Sequence, residues 1–147
     1  VGEIAFGTVN ITRSVTRPSP VLKPNYATPV PLVPLTADFE EALLDAVLEM
    51  SPKGIVIEAL GGGRVPPKIV PHLTRFIEVG IPVVMTTRCG IGPVVDAYGY
   101  EGAHRHLKEI GCHFAHHLSG SKARIKLMLA LVNGLTSDSQ LRTIFEE

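Results

Sequence analysis

The feature that most constrains this chain is an alternation of short, wholly apolar segments with segments of helical period. GIVIEAL, residues 54–60, is apolar at nearly every position. That is the pattern of a strand covered on both faces, as parallel strands are. PPKIVPHLTRFIEVG, residues 66–80, follows with helical spacing, entered through Pro66 or Pro67 and closed by Gly80. IPVVMTTR (81–88) reads as the next strand and AHRHLKEIG (103–111) as a short helix ending at Gly111. CHFAHHL (112–118) reads as a further strand, and SGSKARIKLMLALVNG (119–134) as a strong helix stopped by Gly134. SDSQLRTIFE (137–146) is a last helix capped by Ser137 or Asp138. Ahead of this series, PVPLVPL (29–35) gives a short strand and TADFEEALLDAVLEM (36–50) a helix with Thr36 or Asp38 as cap. Strand and helix alternating at this spacing mean right-handed βαβ units and a parallel sheet.

Residues 2–11 have the period-2 alternation of an antiparallel hairpin, with Gly7 placed for a turn or bulge. Pro18, Pro20, Pro24, Pro29 and Pro31 then make an extended arm, since proline lacks a donor and fixes φ. The expected fold is therefore α/β: a three-layer domain with a small, mostly parallel four-stranded sheet flanked by helices, preceded by a β-hairpin and a proline-rich arm. Residues 1–29 form the hairpin and arm, and residues 30–147 the α/β domain.

Length and charge narrow the function classes. A chain of 147 residues suits one domain, and folding at that size buries about 68–70% of the unfolded surface. Fourteen basic and fourteen acidic residues leave no net charge, which argues against nucleic-acid and membrane-surface partners. No apolar run approaches the ~20 residues of a membrane span, no signal peptide is recognisable, and two cysteines make no disulfide framework. A soluble, cytoplasmic domain is expected. Charged residues make up 19%, below the ~25% average, and the first residue is Val1. Both suggest a piece of a longer protein whose surface is partly covered by a partner.

Ligands of open parallel sheets bind beyond the carboxyl ends of the strands. Three loops qualify: Leu60 to Pro67, with Gly61, Gly62, Gly63 and Arg64; Thr87 to Pro93, with Arg88, Cys89, Gly90 and Gly92; and Ser119 to Ser121. A dinucleotide fingerprint fails because its third glycine falls on Pro66, and no Gly-Lys-Ser/Thr of a P-loop occurs. Arg64 can hold a carboxylate bidentately. Arg88, leaving a buried strand, is expected to pair with an acid, and Glu58 to be buried and bonded to Arg88. Cys89 as a nucleophile would need an activating base. His104, His106, Cys112, His113, His116 and His117 form a dense run without metal-ligand spacing, so solvated or edge histidines are expected, with no metal and no cofactor.

KGIVIEALGGGRVPP, GIPVVMTTRCGIGPV, the YGYEG segment and LSGSKARIKLMLALV together resemble the C-terminal domain of bacterial-type L-asparaginases, in order and spacing. The pattern is most similar to the cytoplasmic or actinobacterial-type branch. GEIAFGTVNITRSVTRP resembles the hairpin and arm that lead into that domain. The asparaginase-like subunit of the tRNA-dependent amidotransferase shares the fold. The resemblance implies hydrolysis of L-asparagine to L-aspartate and ammonia through a Thr nucleophile in an N-terminal domain. This sequence has no Thr-Gly and no Thr-Asp, so it holds none of those catalytic residues and is expected to be inactive alone.

The resemblance further implies a homodimer or homotetramer, contact with an asparaginase N-terminal domain, and L-asparagine or L-aspartate as substrate, product or effector. Substrate- or effector-binding positions carry over to Gly62, Gly63, Arg64, Arg88, Cys89, Gly90, Gly92 and Tyr98, with an effector site around Arg88 to Gly92. Arg64 departs from the pattern, because the family's glycine loop often ends in an Asn that reaches a neighbouring subunit's substrate. No Glu stands in register at Asp96–Tyr100, where one branch binds the substrate ammonium. The competing readings are a stand-alone binding or assembly module, and a hydrolase built on Cys89.

Overall fold

The computed structural model describes residues 25–90, 92, 94, 96 and 98–146, and the backbone of two N-terminal strands. Those strands, β1 (Gly2–Ala5) and β2 (Thr8–Ile11), pair antiparallel with Gly2 opposite Ile11 and Ala5 opposite Thr8. Gly7 and most of the proline-rich arm lie outside the described residues.

The α/β domain then runs β3 (Leu32–Pro34), α1 (Ala42–Glu49), β4 (Ile55–Ala59), a 3-10 turn (Pro67–Ile69), α2 (Val70–Glu78), β5 (Val83–Thr87), α3 (His104–Glu109), β6 (His113–Phe114), α4 (Gly120–Val132) and α5 (Asp138–Glu146). The sheet order is β3-β4-β5-β6, and all three pairings are parallel. Side chains alternate across it as the strand period requires. Ile55, Ile57, Val83 and Met85 pack into one buried cluster with Leu44, Leu73, Phe76 and Leu107. Val56 and Val84 face the other way, into a cluster with Ala123, Leu127, Leu141 and Phe145. Helices α1, α2 and α3 thus cover one face and α4 and α5 the other.

Helices α2, α3 and α4 stop at Gly80, Gly111 and Gly134 as the sequence implies. Each stop is sealed by a backbone bond reaching back over the last turn: Ile81 N–H to Phe76 O at 2.8 Å, Cys112 N–H to Leu107 O at 2.9 Å, Leu135 N–H to Ala130 O at 3.1 Å. Ser137 is the cap of α5. Its N–H donates to Gln140 Oε1 at 3.1 Å, while its Oγ accepts from the Gln140 N–H at 3.3 Å, a reciprocal capping box.

Two expectations are corrected here. Neither Thr36 nor Asp38 caps α1, which begins at Ala42 without a side-chain cap. Asp38 sits at φ 56° and Phe39 is buried in the core, so the chain turns inward before it can coil. The fourth strand is only His113–Phe114, because Leu118 N–H already bonds Ala115 O at 3.3 Å in a turn.

Candidate functional site

The parallel order puts the loops after β4, β5 and β6 on one edge, and side-chain bonds tie them together there. The Thr87 hydroxyl donates to Gly61 O and accepts from the Cys89 N–H at 3.0 Å, joining the first loop to the second. The Thr86 hydroxyl donates to Leu118 O, and Glu58 Oε1 accepts from the Gly120 N–H at 3.1 Å. These last two fix the approach to α4.

Glu58 and Arg88 do not meet, contrary to expectation. In the β4–β5 register Glu58 stands opposite Thr86, on the α4 side, where the first amide of that helix is its partner. Arg88 lies two residues further on and reaches across β4 to donate to Leu35 O at 2.7 Å. It pairs with a carbonyl, not an acid. Glu58 thus fills the anion-accepting end of α4, and Gly120 leaves room for it: a Cβ there would fall 2.2 Å from Glu58 Oε1.

The first loop closes on itself. Leu60 N–H donates to Arg64 O at 2.9 Å, and the Arg64 N–H returns to Leu60 O at 2.9 Å. Gly61 and Gly63 carry positive φ at 50° and 92° inside this turn. Arg64 is held over Gly61, where a Cβ would lie 2.9 Å from its Nη2. Its guanidinium carbon is 4.3 Å from the centre of the Tyr98 ring, a cation–π contact. Hydrogen bonding to Tyr100, with a smaller contribution from Tyr98, pushes the Arg64 pKa above its ordinary value, so the group is a permanent cation. Beside it opens a cleft of about 330 Å³ bounded by Leu60, Gly61, Arg64, Val65, Pro66, Pro67 and Tyr100.

Of the site residues expected from sequence, Arg64 and Tyr98 are brought together here, while Gly62 and Gly63 lie in the same turn and outside the cleft wall. Cys89, Gly90 and Gly92 are exposed on the second loop, and the Arg88 side chain is committed to Leu35 O. Among the described residues no hydrogen bond or ion pair reaches the Cys89 thiol. Sequence reasoning missed Tyr100, which bounds the cleft two residues after Tyr98. It also missed Thr87, whose role depends on a contact 26 positions away. Val94 was missed too: it is buried, and its methyl would lie 2.6 Å from a Cβ on Gly63.

The histidines are not uniformly solvated, which corrects a further expectation. His104 and His113 are buried, and His104 stacks on Phe114 with centroids 3.9 Å apart. No three His, Cys, Asp or Glu among the described residues come together as a metal site requires. Burial holds the His104 and His113 pKa values below the usual imidazole range, and the Cys112 thiol is pushed up to about 12. For the histidines the folded pKa is the depressed one. Their contribution is therefore present above the unfolded value of about 6.5 and lost as pH falls through the folded value. The lowered carboxyls of Glu41, Asp45 and Asp138 act in the same direction, but only below about pH 4.5. Urea unfolding is accordingly expected to shift to lower denaturant between about pH 7 and pH 5. His104→Phe, which keeps the ring on Phe114 without a titrating group, should reduce that shift and leave the share of His113. An unchanged midpoint in wild type across this window would contradict the assignment.

The fold and the edge geometry define an α/β domain with a cationic cleft at the carboxyl ends of its strands. Residues 29–145 match the family described as the glutaminase/asparaginase C-terminal domain, and the chain belongs to that family. It is 38% identical over 94 residues to the "Probable L-asparaginase" of Deinococcus radiodurans, covering 64% of this chain and 28% of that protein. To the "L-asparaginase" of Bacillus licheniformis it is 29% identical over 104 residues, covering 71% of this chain and 32% of that protein. A glutamyl-tRNA(Gln) amidotransferase subunit of Pyrococcus abyssi is 37% identical over 65 residues, or 44% of this chain and 15% of that protein. The chain thus spans a third or less of the length of these relatives. Among the described residues no helix is long and apolar enough to cross a membrane.

Proposed function

We propose that this chain serves an L-asparaginase as its C-terminal domain, completing a pocket for L-asparagine or L-aspartate while the nucleophile lies in a different segment of the protein. The observation that carries this is the Arg64 guanidinium, stacked on Tyr98 and bordering an open cleft at the carboxyl edge of the sheet. A planar cation held in place is suited to the α-carboxylate of an amino acid. Residues 1–29 act as the hairpin and arm of a preceding domain and residues 30–147 as the C-terminal domain. Arg64 lines the ligand cleft, Tyr98 backs its guanidinium, and Gly62 and Gly63 belong to the turn that presents it. Arg88, Cys89, Gly90 and Gly92 form the neighbouring effector loop. The protein works in the cytoplasm, as a homodimer or homotetramer. Tyr26, Leu43, Met50 and Ile125, each about half exposed or more, supply apolar surface for association.

The similarity to glutamyl-tRNA(Gln) amidotransferase proteins supports a second reading, in which the ammonia released passes to a charged tRNA. Ammonia release from L-asparagine separates the two readings when measured for the full-length gene product and for the 147-residue chain. Free turnover by the full-length protein, with none by the chain alone, is expected. Turnover by the isolated chain would overturn the division of labour. Turnover only in the presence of misacylated tRNA would favour the amidotransferase.

A further inference from the structure

All histidines except His72 fall between positions 104 and 117, and two of them hold the segment that carries Tyr98 and Tyr100. The Gly102 N–H donates to His106 Nδ1 at 3.2 Å, two residues after Tyr100. At the other end, His116 Nδ1 lies 3.3 Å from Val94 O, four residues before Tyr98. Between these points the Ala103 N–H bonds Tyr100 O at 3.0 Å, and the Val65 N–H bonds Gly102 O at 3.0 Å. The Gly102 end of the tyrosine segment is thereby fastened to the loop after β4 that bears Arg64.

We infer that His106 and His116 are positioning residues, which hold Tyr98 and Tyr100 against Arg64 and make the assembly of the cleft depend on an unprotonated His106. The two bonds demand opposite tautomers. A backbone N–H only donates, so His106 Nδ1 must keep its lone pair. A carbonyl only accepts, so His116 Nδ1 must carry its hydrogen. Protonation leaves the His116 bond intact and abolishes the His106 bond, because an imidazolium has no acceptor.

Glu101, beside Gly102, and Glu109, one turn beyond His106 in α3, are exposed and make no ion pair among the described residues. Arg105 pairs with Asp96 at 3.4 Å and Lys108 with Glu146 of α5 at 2.5 Å. His104 is stacked on Phe114, 5.7 Å from the ring of His116. Among the described residues none of these makes a hydrogen bond or ion pair with His106.

The inference rests on the Arg64 cleft being the ligand site only for its effect on binding, so its test reads the tyrosines directly. The chain has three tyrosines and no tryptophan, and Tyr26 is far along the sequence from the others. Ring-carbon NMR of the chain labelled with 13C-tyrosine should show the Tyr98 and Tyr100 signals moving on acidification that protonates the imidazole acceptor. The Tyr26 signal should stay. His106→Asn places an acceptor oxygen at the Nδ1 position without a titrating ring, and should remove the pH response while keeping the neutral-pH spectrum. His106→Ala should show the acid-like signals at neutral pH, and should weaken binding of L-aspartate about 5–10-fold, as one lost hydrogen bond does. His116→Asn, which can donate to Val94 O, should rescue what His116→Ala disturbs. A pH response persisting in His106→Asn, or tyrosine signals unchanged in His106→Ala, would overturn the inference. If the tyrosines respond as expected and L-aspartate binds neither variant nor wild type, the ligand reading of the cleft fails and the positioning role stands.

Discussion

Gly102→Ala is expected to destabilise the chain by about 2–5 kcal/mol, with a fall in melting temperature of about 10 °C. Gly102 has φ 87°, where a side chain costs about 1–2 kcal/mol. A Cβ there would also fall 2.3 Å from Val65 O, a backbone atom. That carbonyl cannot yield cheaply, because the adjacent Val65 N–H is bonded to Gly102 O at 3.0 Å. Relieving the overlap breaks that bond and moves the end of the tyrosine segment, adding about 1–3 kcal/mol. Gly99→Ala is the control for stability: no atom lies within 4 Å of its Cβ position, so it should change stability by less than about 0.5 kcal/mol. Thermal unfolding of both variants decides the point. Equal melting temperatures would show that the Val65–Gly102 contact is not as close as described.

Arg64→Ala should weaken binding of L-aspartate to the chain about 30–100-fold, and raise the KM for L-asparagine of the full-length protein in proportion. A charge-assisted, bidentate carboxylate contact contributes about 2–3 kcal/mol, and truncation removes it whole. Arg64→Lys should recover little of this. An ammonium offers neither the planar fork nor the flat face that lies against Tyr98. Stability should barely change in either variant, since Arg64 is partly open to solvent and makes no buried ion pair among the described residues. Titration calorimetry with L-aspartate reads the affinity, and urea unfolding guards against a folding artefact. Wild-type affinity in Arg64→Lys would mean that charge alone is recognised. Wild-type affinity in Arg64→Ala would remove Arg64 from the site.

Both expectations turn on contacts that local sequence does not specify. Nothing in YGYEG announces that the glycine closing it lies against Val65. The same holds for Thr87, an ordinary strand-end residue until the Gly61 carbonyl is found within reach of its hydroxyl.

The sequence alone determined the order of strands and helices, the parallel sheet, the helix stops at Gly80, Gly111 and Gly134, and the loops that crowd one edge. Those features follow from periodicity and from the backbone limits of glycine and proline, which act over a few residues. Only the tertiary structure decided that Glu58 meets the Gly120 amide, that Arg88 reaches Leu35, that His104 is buried on Phe114, and that Tyr100 joins Tyr98 at Arg64. Those partners depend on the register of one strand against the next and on which face each residue then occupies. Such pairings join residues far apart in the chain, and no short-range pattern encodes them.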